Sequence, residues 1–254
     1  MWVPNNKILI LCFSFFLCFS CKEAPTNKLN IACSANAQYA IEEISQSFEE
    51  IYGIQSNVII ASSGKLTAQV KAGAPFDIFV SADMAYPNEL YNADLTTGPP
   101  KSYATGGLAI WTINPSINLD NLFQEDFNLN HIAIANPKTA PYGKAAMQYL
   151  NTLSNFDKIK AKLVFGESIA QTNQFILSGA ADLGITSTSN MYHPKFSKEG
   201  HWKAITSSSV TQIEQAAVVI ANTTKQEKAE KYFSFLFSDE AKKILLKFGY
   251  SVEN

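Results

Sequence analysis

The stretch Val58–Asp83, VIIASSGKLTAQVKAGAPFDIFVSAD, decides the fold class of this chain. An apolar β-branched run at 58–60 stops at the SSG turn, 62–64, a helical segment follows, and a second apolar run occupies 78–80. This order predicts a strand, a turn, a helix and a second strand. A turn of hydroxyls and glycine presents backbone N–H groups beyond the strand end, and a helix start attracts anions. The stretch therefore predicts an α/β fold and one candidate anion-binding turn.

The same alternation of apolar runs and helical periodicity extends over the rest of the chain in two blocks. Apolar runs occur at 29–32 in the first block and at 108–111, 132–135, 162–165 and 183–185 in the second. Between the blocks, 94–102 has no periodicity and contains GPP at 98–100, which predicts a loop. Alternating strands and helices predict parallel sheets flanked by helices, in which ligands bind beyond the carboxyl ends of the strands. The pattern therefore predicts two α/β lobes, each a mainly parallel sheet flanked by helices, with a ligand cleft between them.

The first 28 residues are expected to lie outside this fold. Lys7 precedes a run at 8–19 that is apolar except for Ser14, too short to span a bilayer and typical of a signal-peptide core. The run leads to Cys21, which predicts a bacterial lipoprotein signal peptide over 1–20 and acylation of Cys21. Ordinary secretion with cleavage nearby is the alternative. Residues 21–28 are polar, as expected of a tether.

Composition and charge exclude several classes of protein. A chain of 254 residues with 46% hydrophobic content can bury one large core or two small ones. Its formal net charge of -2, without a basic run, argues against a nucleic-acid binder. Beyond residue 28 the only cysteine is Cys33, and the three histidines lack metal-ligand spacing. Neither a disulfide framework nor a metal site is therefore expected. Gly64-Lys65 lacks the upstream glycine and the hydroxyl of a nucleotide-binding loop.

Four strand-to-helix turns place small or hydroxyl residues at a helix start. They are CSAN at 33–36, SSG at 62–64, PYG at 141–143 and ESI at 167–169. Each turn alone is an ordinary helix cap, because serine and asparagine are preferred N-cap residues. Ser168 with Gln171 three residues later predicts a capping box at the start of its helix. Four such turns facing one cleft would form a cage of N–H and O–H donors. A cage of this kind suits a tetrahedral, fully ionised oxyanion.

From about Leu29 to the C-terminus the chain resembles the periplasmic molybdate-binding proteins of ABC importers. The segments that carry the resemblance are IACSANAQYAIEEI, VIIASSGKLTAQVKAGAPFDIFVSAD, IAIANPKTAPYGKAAMQYL and FGESIAQTNQFILSGAADLGITSTS. The tail AGAPFDIFVSAD is the most specific of them. The resemblance implies a two-lobed protein of the type II periplasmic-binding-protein fold. Such a protein closes on molybdate or tungstate and delivers the anion to a membrane permease, without catalysis and without a cofactor.

The resemblance also implies which residues contact the anion. Positions that contact ligand oxygens in the family correspond to Ala35 and Asn36, Ser63, Tyr142 and, through its backbone N–H, Ile169. Some members use a tyrosine after the Leu-Gly-Ile strand, and Ser187 stands at that position here. Its shorter hydroxyl is expected to reach the anion through water or not at all.

The sequence as a whole predicts a monomeric, lipid-anchored, extracytoplasmic binding protein on the periplasmic face. The resemblance assigns residues 29–103 and 214–254 to one lobe and 104–213 to the other, with hinge closure between them. Because aimed donors rather than charge pairs would hold the anion, moderate salt should weaken binding only mildly. Three alternatives stay open: a binder of sulfate or another tetrahedral oxyanion, a secreted hydrolase of phosphate or sulfate esters, and a sensory or adhesive lipoprotein that does not transport.

Overall fold

The computed structural model describes residues 27–120, 122–123, 128–206 and 213–253. The predicted signal peptide, the acylation site Cys21 and the tether up to residue 26 lie outside the described residues. Within those ranges, no helix has both the length and the apolar character that crossing a membrane requires.

The helices and strands alternate along most of the chain. The first part forms β1 (Leu29–Ser34), α1 (Gln38–Tyr52), β2 (Ser56–Ala61), α2 (Ser63–Lys71), β3 (Ile78–Val80), α3 (Ala85–Tyr91) and β4 (Lys101–Gly106). The middle forms β5 (Leu108–Thr112), β6 (Ile132–Ala135), α4 (Pro141–Leu150), α5 (Phe156–Lys160), β7 (Leu163–Gly166), α6 (Ile169–Leu177), β8 (Leu183–Ser187), α7 (Thr188–Met191), α8 (Pro194–Ser197) and β9 (His201–Ala204). The last part forms β10 (Ile213–Val219), α9 (Gln226–Phe235) and α10 (Asp239–Lys247).

The strands form two five-stranded sheets, in the orders β2-β1-β3-β10-β4 and β7-β6-β8-β5-β9. In each sheet the first two pairings in this order are parallel and the last two are antiparallel. The predicted α/β architecture is confirmed, although each sheet is mixed, with as many antiparallel pairings as parallel ones. The chain leaves the first sheet after β4 and returns to it with β10.

The two sheets share one arrangement of strands and helices. Strands β6, β7 and β8 occupy in the second sheet the places that β1, β2 and β3 occupy in the first. Helices α1 and α2 follow β1 and β2, and α4 and α6 follow β6 and β7 in the chain. Because parallel neighbours end at the same edge of a sheet, each sheet presents two strand-to-helix turns at its carboxyl edge.

The packing of α1 follows from its sequence period. Ile41, Ile44 and Phe48 recur at helical spacing and are fully buried in the core of the first lobe. Ile51 continues the same spacing but is 56% exposed, because it lies in the last turn of the helix. Gly53, in the left-handed conformation with φ 66°, ends the helix and donates its N–H to Glu49 O at 2.8 Å.

Strand β4 lies partly in a stretch that the sequence predicts as a loop. Asp94–Ser102 carries no periodicity, yet Lys101 and Ser102 pair with β10 residues Ala217 and Ala216. The pairing partner is far away in the chain, so local sequence does not reveal this strand.

Candidate functional site

A cavity of about 10 Å³ lies between the carboxyl edges of the two sheets. Pockets for drug-sized organic ligands occupy about 300–1,000 Å³, so this one suits a small ion. Both lobes line it, the first through Ser34, Ala35, Asn36, Ser62, Ser63 and Ala82 and the second through Ala140, Pro141, Tyr142, Ser168 and Ile169. All of these except Pro141 are buried.

The structure brings five of the six residues predicted to bind the anion to this cavity: Ala35, Asn36, Ser63, Tyr142 and Ile169. Ser187 is not among the residues that line it. It ends β8, fully buried, and its hydroxyl oxygen lies 3.0 Å from Ser189 Oγ. Sequence reasoning placed Ser34, Ser62 and Ser168 in the turns without selecting them as contacts.

Three helices begin at the cavity wall: α2, α4 and α6. The first N–H groups of a helix have no partner within it and depend on a side-chain cap, water or a ligand. Among the described residues, the N-cap side chains of these three helices make no cap hydrogen bond. By contrast, Ser238 caps α10 by accepting from Ala241 N at 3.2 Å. Side-chain caps therefore do not occupy the N–H groups at these helix starts. Gly64 N donates to Thr139 O instead, and the described contacts give no partner to the N–H of Ser63, Tyr142 or Ile169.

The donors at these helix starts come from the first turn of each helix. In α2 and α6 the first helical residues are Ser63 and Ile169. In α4 the first helical residue is Pro141, which has no N–H, so Tyr142 supplies the first donor. The partial positive charge of a helix N-terminus adds to the attraction of these groups for an anion.

The sequence predicts a capping box between Ser168 and Gln171, and the structure shows a different arrangement. Gln171 Oε1 accepts the backbone N–H of Glu167 at 2.6 Å, one residue before the N-cap. The Ser168 hydroxyl makes no cap hydrogen bond within the described part of the chain, and Ser168 lines the cavity instead. The prediction was wrong because turn 167–169 lies at the cleft rather than at an isolated helix end.

Two serine hydroxyls meet at one side of the cavity. Ser34 Oγ, at the end of β1, lies 2.5 Å from Ser63 Oγ. The backbone N–H of Ala82 donates to both hydroxyls, at 3.1 Å to Ser34 Oγ and 3.0 Å to Ser63 Oγ. Three separate segments of the first lobe thus converge on one point of the cavity wall.

A buried hydrogen-bond network fixes Asn36 and Tyr142 behind the cavity. The Asn36 amide donates to Gln215 Oε1 at 2.8 Å and to Tyr250 OH at 3.1 Å. Gln215 donates to Tyr142 OH at 3.1 Å and accepts from Tyr103 OH at 2.7 Å. Both amide hydrogens of Asn36 are therefore used, which leaves its backbone N–H as the group that can face the cavity.

Electrostatically the cavity combines positive potential with neutral side chains. Among the described residues that line it, none carries a charged side chain. Burial raises the pKa of the Tyr142 and Tyr103 hydroxyls well above their ordinary value, so both stay protonated at neutral pH. Outside this lining, the Glu167 carboxylate accepts a hydrogen bond from the Ser62 hydroxyl at 2.8 Å.

Several hydrogen bonds join the two lobes around the cavity. On one side Gly64 N donates to Thr139 O at 2.9 Å, Ser62 Oγ to Glu167 Oε1 at 2.8 Å and Tyr86 OH to Lys138 O at 3.3 Å. On the other side Ser189 Oγ donates to Asn36 O at 2.8 Å. The structure therefore shows the lobes closed on the cavity.

Comparisons with known proteins give one consistent family. The family model described as bacterial extracellular solute-binding protein matches residues 29–251. The molybdate-binding protein of Rhodobacter capsulatus is 32% identical over 233 residues, which is 91% of this chain and 90% of that one. The molybdate-binding protein of Azotobacter vinelandii is 30% identical over 232 residues, 91% of this chain and 92% of that one. A solved structure of an A. vinelandii periplasmic molybdate-binding protein matches with a TM-score of 0.84 and 29% identity, covering 89% of this chain and 100% of that one.

Proposed function

The chain belongs to the bacterial extracellular solute-binding proteins, and from that membership we propose that it captures molybdate, and also tungstate, and delivers it to an ABC transporter permease. The observation that carries the proposal is the cavity between the lobes, which is lined by neutral groups and by uncapped helix N-termini. The two molybdate-binding relatives and the solved structure support the choice of anion.

The chemistry of the lining favours a fully ionised oxyanion. Backbone N–H groups only donate, so they satisfy the oxygens of an anion that carries no proton. A protonated anion such as hydrogen phosphate also needs an acceptor for its own O–H. Within the described lining no carboxylate is present to accept it. We therefore place phosphate below molybdate in affinity. Sulfate is also fully ionised but smaller than molybdate, so the two anions are distinguished by titration.

The proposed contacts follow from which donors are unused. Asn36, Tyr142 and Ile169 supply backbone N–H groups, and Ser63 supplies both its N–H and its hydroxyl. Ala35 forms part of the wall, because its own N–H donates to Ala61 O at 3.0 Å. Ser187 does not contact the anion in this proposal. It is connected to the first turn through the Ser189 hydroxyl, which donates to the carbonyl of Asn36.

The proposal includes the organisation of the mature protein. We propose that the chain is a carrier rather than an enzyme, anchored outside the cytoplasm by acylated Cys21. The resemblance assigns 29–103 and 214–254 to one lobe and 104–213 to the other. Since β4 extends to Gly106 and β10 begins at Ile213, both in the first sheet, we place residues 104–106 and Ile213 in the first lobe and the first crossing at Gly107. A monomer suffices, because one chain supplies both walls of the cavity.

Calorimetric titration of the chain without its leader tests the proposal, using molybdate, tungstate, sulfate and phosphate. Molybdate and tungstate should bind tightly, with only mild weakening in moderate salt. Sulfate or phosphate binding as tightly as molybdate would overturn the assignment of the anion. Turnover of phosphate or sulfate esters would overturn the carrier role.

A further inference from the structure

The Ser34 hydroxyl has no role in the contacts proposed above, although it lines the cavity. It lies 2.5 Å from Ser63 Oγ, and Ser34 and Ser63 are 2% and 0% exposed. Their separation requires one hydroxyl to donate to the other, because two oxygens this close in a neutral pair share a hydrogen.

The hydrogens of this pair can be counted. Each hydroxyl has one hydrogen and can accept two hydrogen bonds. One of the two hydrogens lies between the oxygens, and the Ala82 N–H occupies an acceptor position on each oxygen. Within the described residues neither hydroxyl has a further acceptor. One hydrogen is therefore left, and the cavity is the place that can receive it.

The position of Ser63 decides which hydroxyl presents that hydrogen. Ser63 is the first residue of α2, so its backbone N–H already faces the cavity beside the hydroxyl. Ser34 ends β1, and its carbonyl accepts the N–H of Ala37 at 2.9 Å, which fixes the backbone of the first turn. Donation from Ser34 to Ser63 leaves the Ser63 hydrogen for an anion at the same point as the Ser63 N–H.

We propose that Ser34 is a positioning residue for oxyanion binding, which acts by donating its hydrogen to Ser63 so that the Ser63 hydroxyl donates to the anion. The inference rests on the proposed function. A hydroxyl that accepts one hydrogen bond becomes a stronger donor in the next, since consecutive hydrogen bonds polarise one another. The pair thus delivers one oriented donor, and Ala82 N–H holds both oxygens in place.

A double-mutant cycle on anion affinity tests this role. The variants are Ser34→Ala, Ser63→Ala and the double variant, titrated by calorimetry with whichever of molybdate, tungstate and sulfate binds the unaltered chain. Ser34→Ala should weaken binding about three- to tenfold. Ser63→Ala should weaken it more, and the double variant should bind within about twofold of Ser63→Ala. If Ser34 supported the site only structurally, Ser34→Ala would weaken binding in the Ser63→Ala background as well. If Ser34 acts by donating to the Ser63 hydroxyl, Ser34→Ala should cause no further loss in that background.

Ser45→Ala is the matched control, because Ser45 Oγ is a buried hydroxyl paired with Tyr232 OH at 2.8 Å and does not line the cavity. It should leave anion affinity unchanged. Wild-type affinity in Ser34→Ala, or losses that multiply in the double variant, would overturn the role of Ser34. Failure of the unaltered chain to bind any of the three anions would instead overturn the proposed function.

Discussion

Gly64→Ala should weaken anion binding by holding the two lobes apart. Gly64 lies in the first turn of α2 and donates its N–H to Thr139 O across the cleft at 2.9 Å. A Cβ at position 64 would lie 2.7 Å from Tyr86 OH, 2.9 Å from Thr139 O and 3.0 Å from Thr139 Cα. The Tyr86 hydroxyl can rotate away, but the Thr139 atoms belong to the backbone of the other lobe. The closed arrangement must therefore loosen.

The magnitude follows from the cost of overpacking, which is about 1–3 kcal/mol for an added carbon in a packed interior. If this cost falls only on the closed, anion-bound state, it reduces affinity about 5- to 150-fold, since 1.4 kcal/mol corresponds to a factor of ten. The first lobe itself should not suffer, because alanine is favoured over glycine within a helix by about 0.8–1 kcal/mol. Gly64→Ala should thus lower the affinity for the anion without lowering the stability of the unliganded protein.

Calorimetric titration with molybdate and thermal unfolding of the unliganded protein measure the two effects. Gly98→Ala is the control, because a Cβ at Gly98 meets no atom within 4 Å. Wild-type affinity in Gly64→Ala would refute the reasoning about closure. A fall in the melting temperature of the unliganded Gly64→Ala protein would point to damage within the lobe instead.

Three further predictions concern single residues. Ser63→Ala removes a donor to a charged ligand, which is worth about 1.5–3 kcal/mol, so calorimetry should show an affinity about 10- to 150-fold lower. Ser187→Ala should cause a smaller loss of affinity. Equal and negligible losses in the two variants would contradict the proposed site. Gln215→Leu removes three buried hydrogen bonds, with Asn36, Tyr103 and Tyr142. It should lower the free energy of unfolding by about 1–3 kcal/mol in urea titrations, and an unchanged midpoint would count against the network. Burial raises the pKa of the Asp83 carboxyl above its ordinary value of 3.8, so the carboxyl stabilises the fold most below that pH and less as pH rises through the raised pKa. The unfolding free energy of the wild type minus that of Asp83→Asn should therefore fall between pH 3.8 and neutrality, and a difference that grows with pH would disprove it.

The turns at the cavity could be predicted from sequence because their chemistry is local. An apolar run, a small or hydroxyl turn and a helical period lie within a few residues of one another, as at Ser63 and Ile169. Within the turn at 141–143, the resemblance to the molybdate-binding family selected Tyr142, and the proline before it marks the start of the helix. Parallel strands then bring the turns of each sheet to one edge, so a small number of local signals indicates a shared site.

The hydrogen bonds behind the cavity could not be predicted in the same way. Asn36 stands at a position expected to contact the anion, but its side-chain amide donates to Gln215, which is 179 residues away in the chain. The contact of Ser34 with Ser63 depends on the register of β1 against β2, and the Ala82 N–H reaches both from the residues after β3. Such contacts are set by tertiary packing, so no single segment indicates them.

The repeated strand order of the two sheets has a consequence for release. In the binding mode proposed above, the protein resembles a chelating agent whose donors are divided between two hinged arms, with two turns on each arm. Parting the arms removes one arm's donors from the anion at once, and the advantage of multivalent binding is lost with them. Unloading then requires no protonation, no redox step and no competing ion. Separation of the two lobes is enough to turn a strong chelator into a weak one.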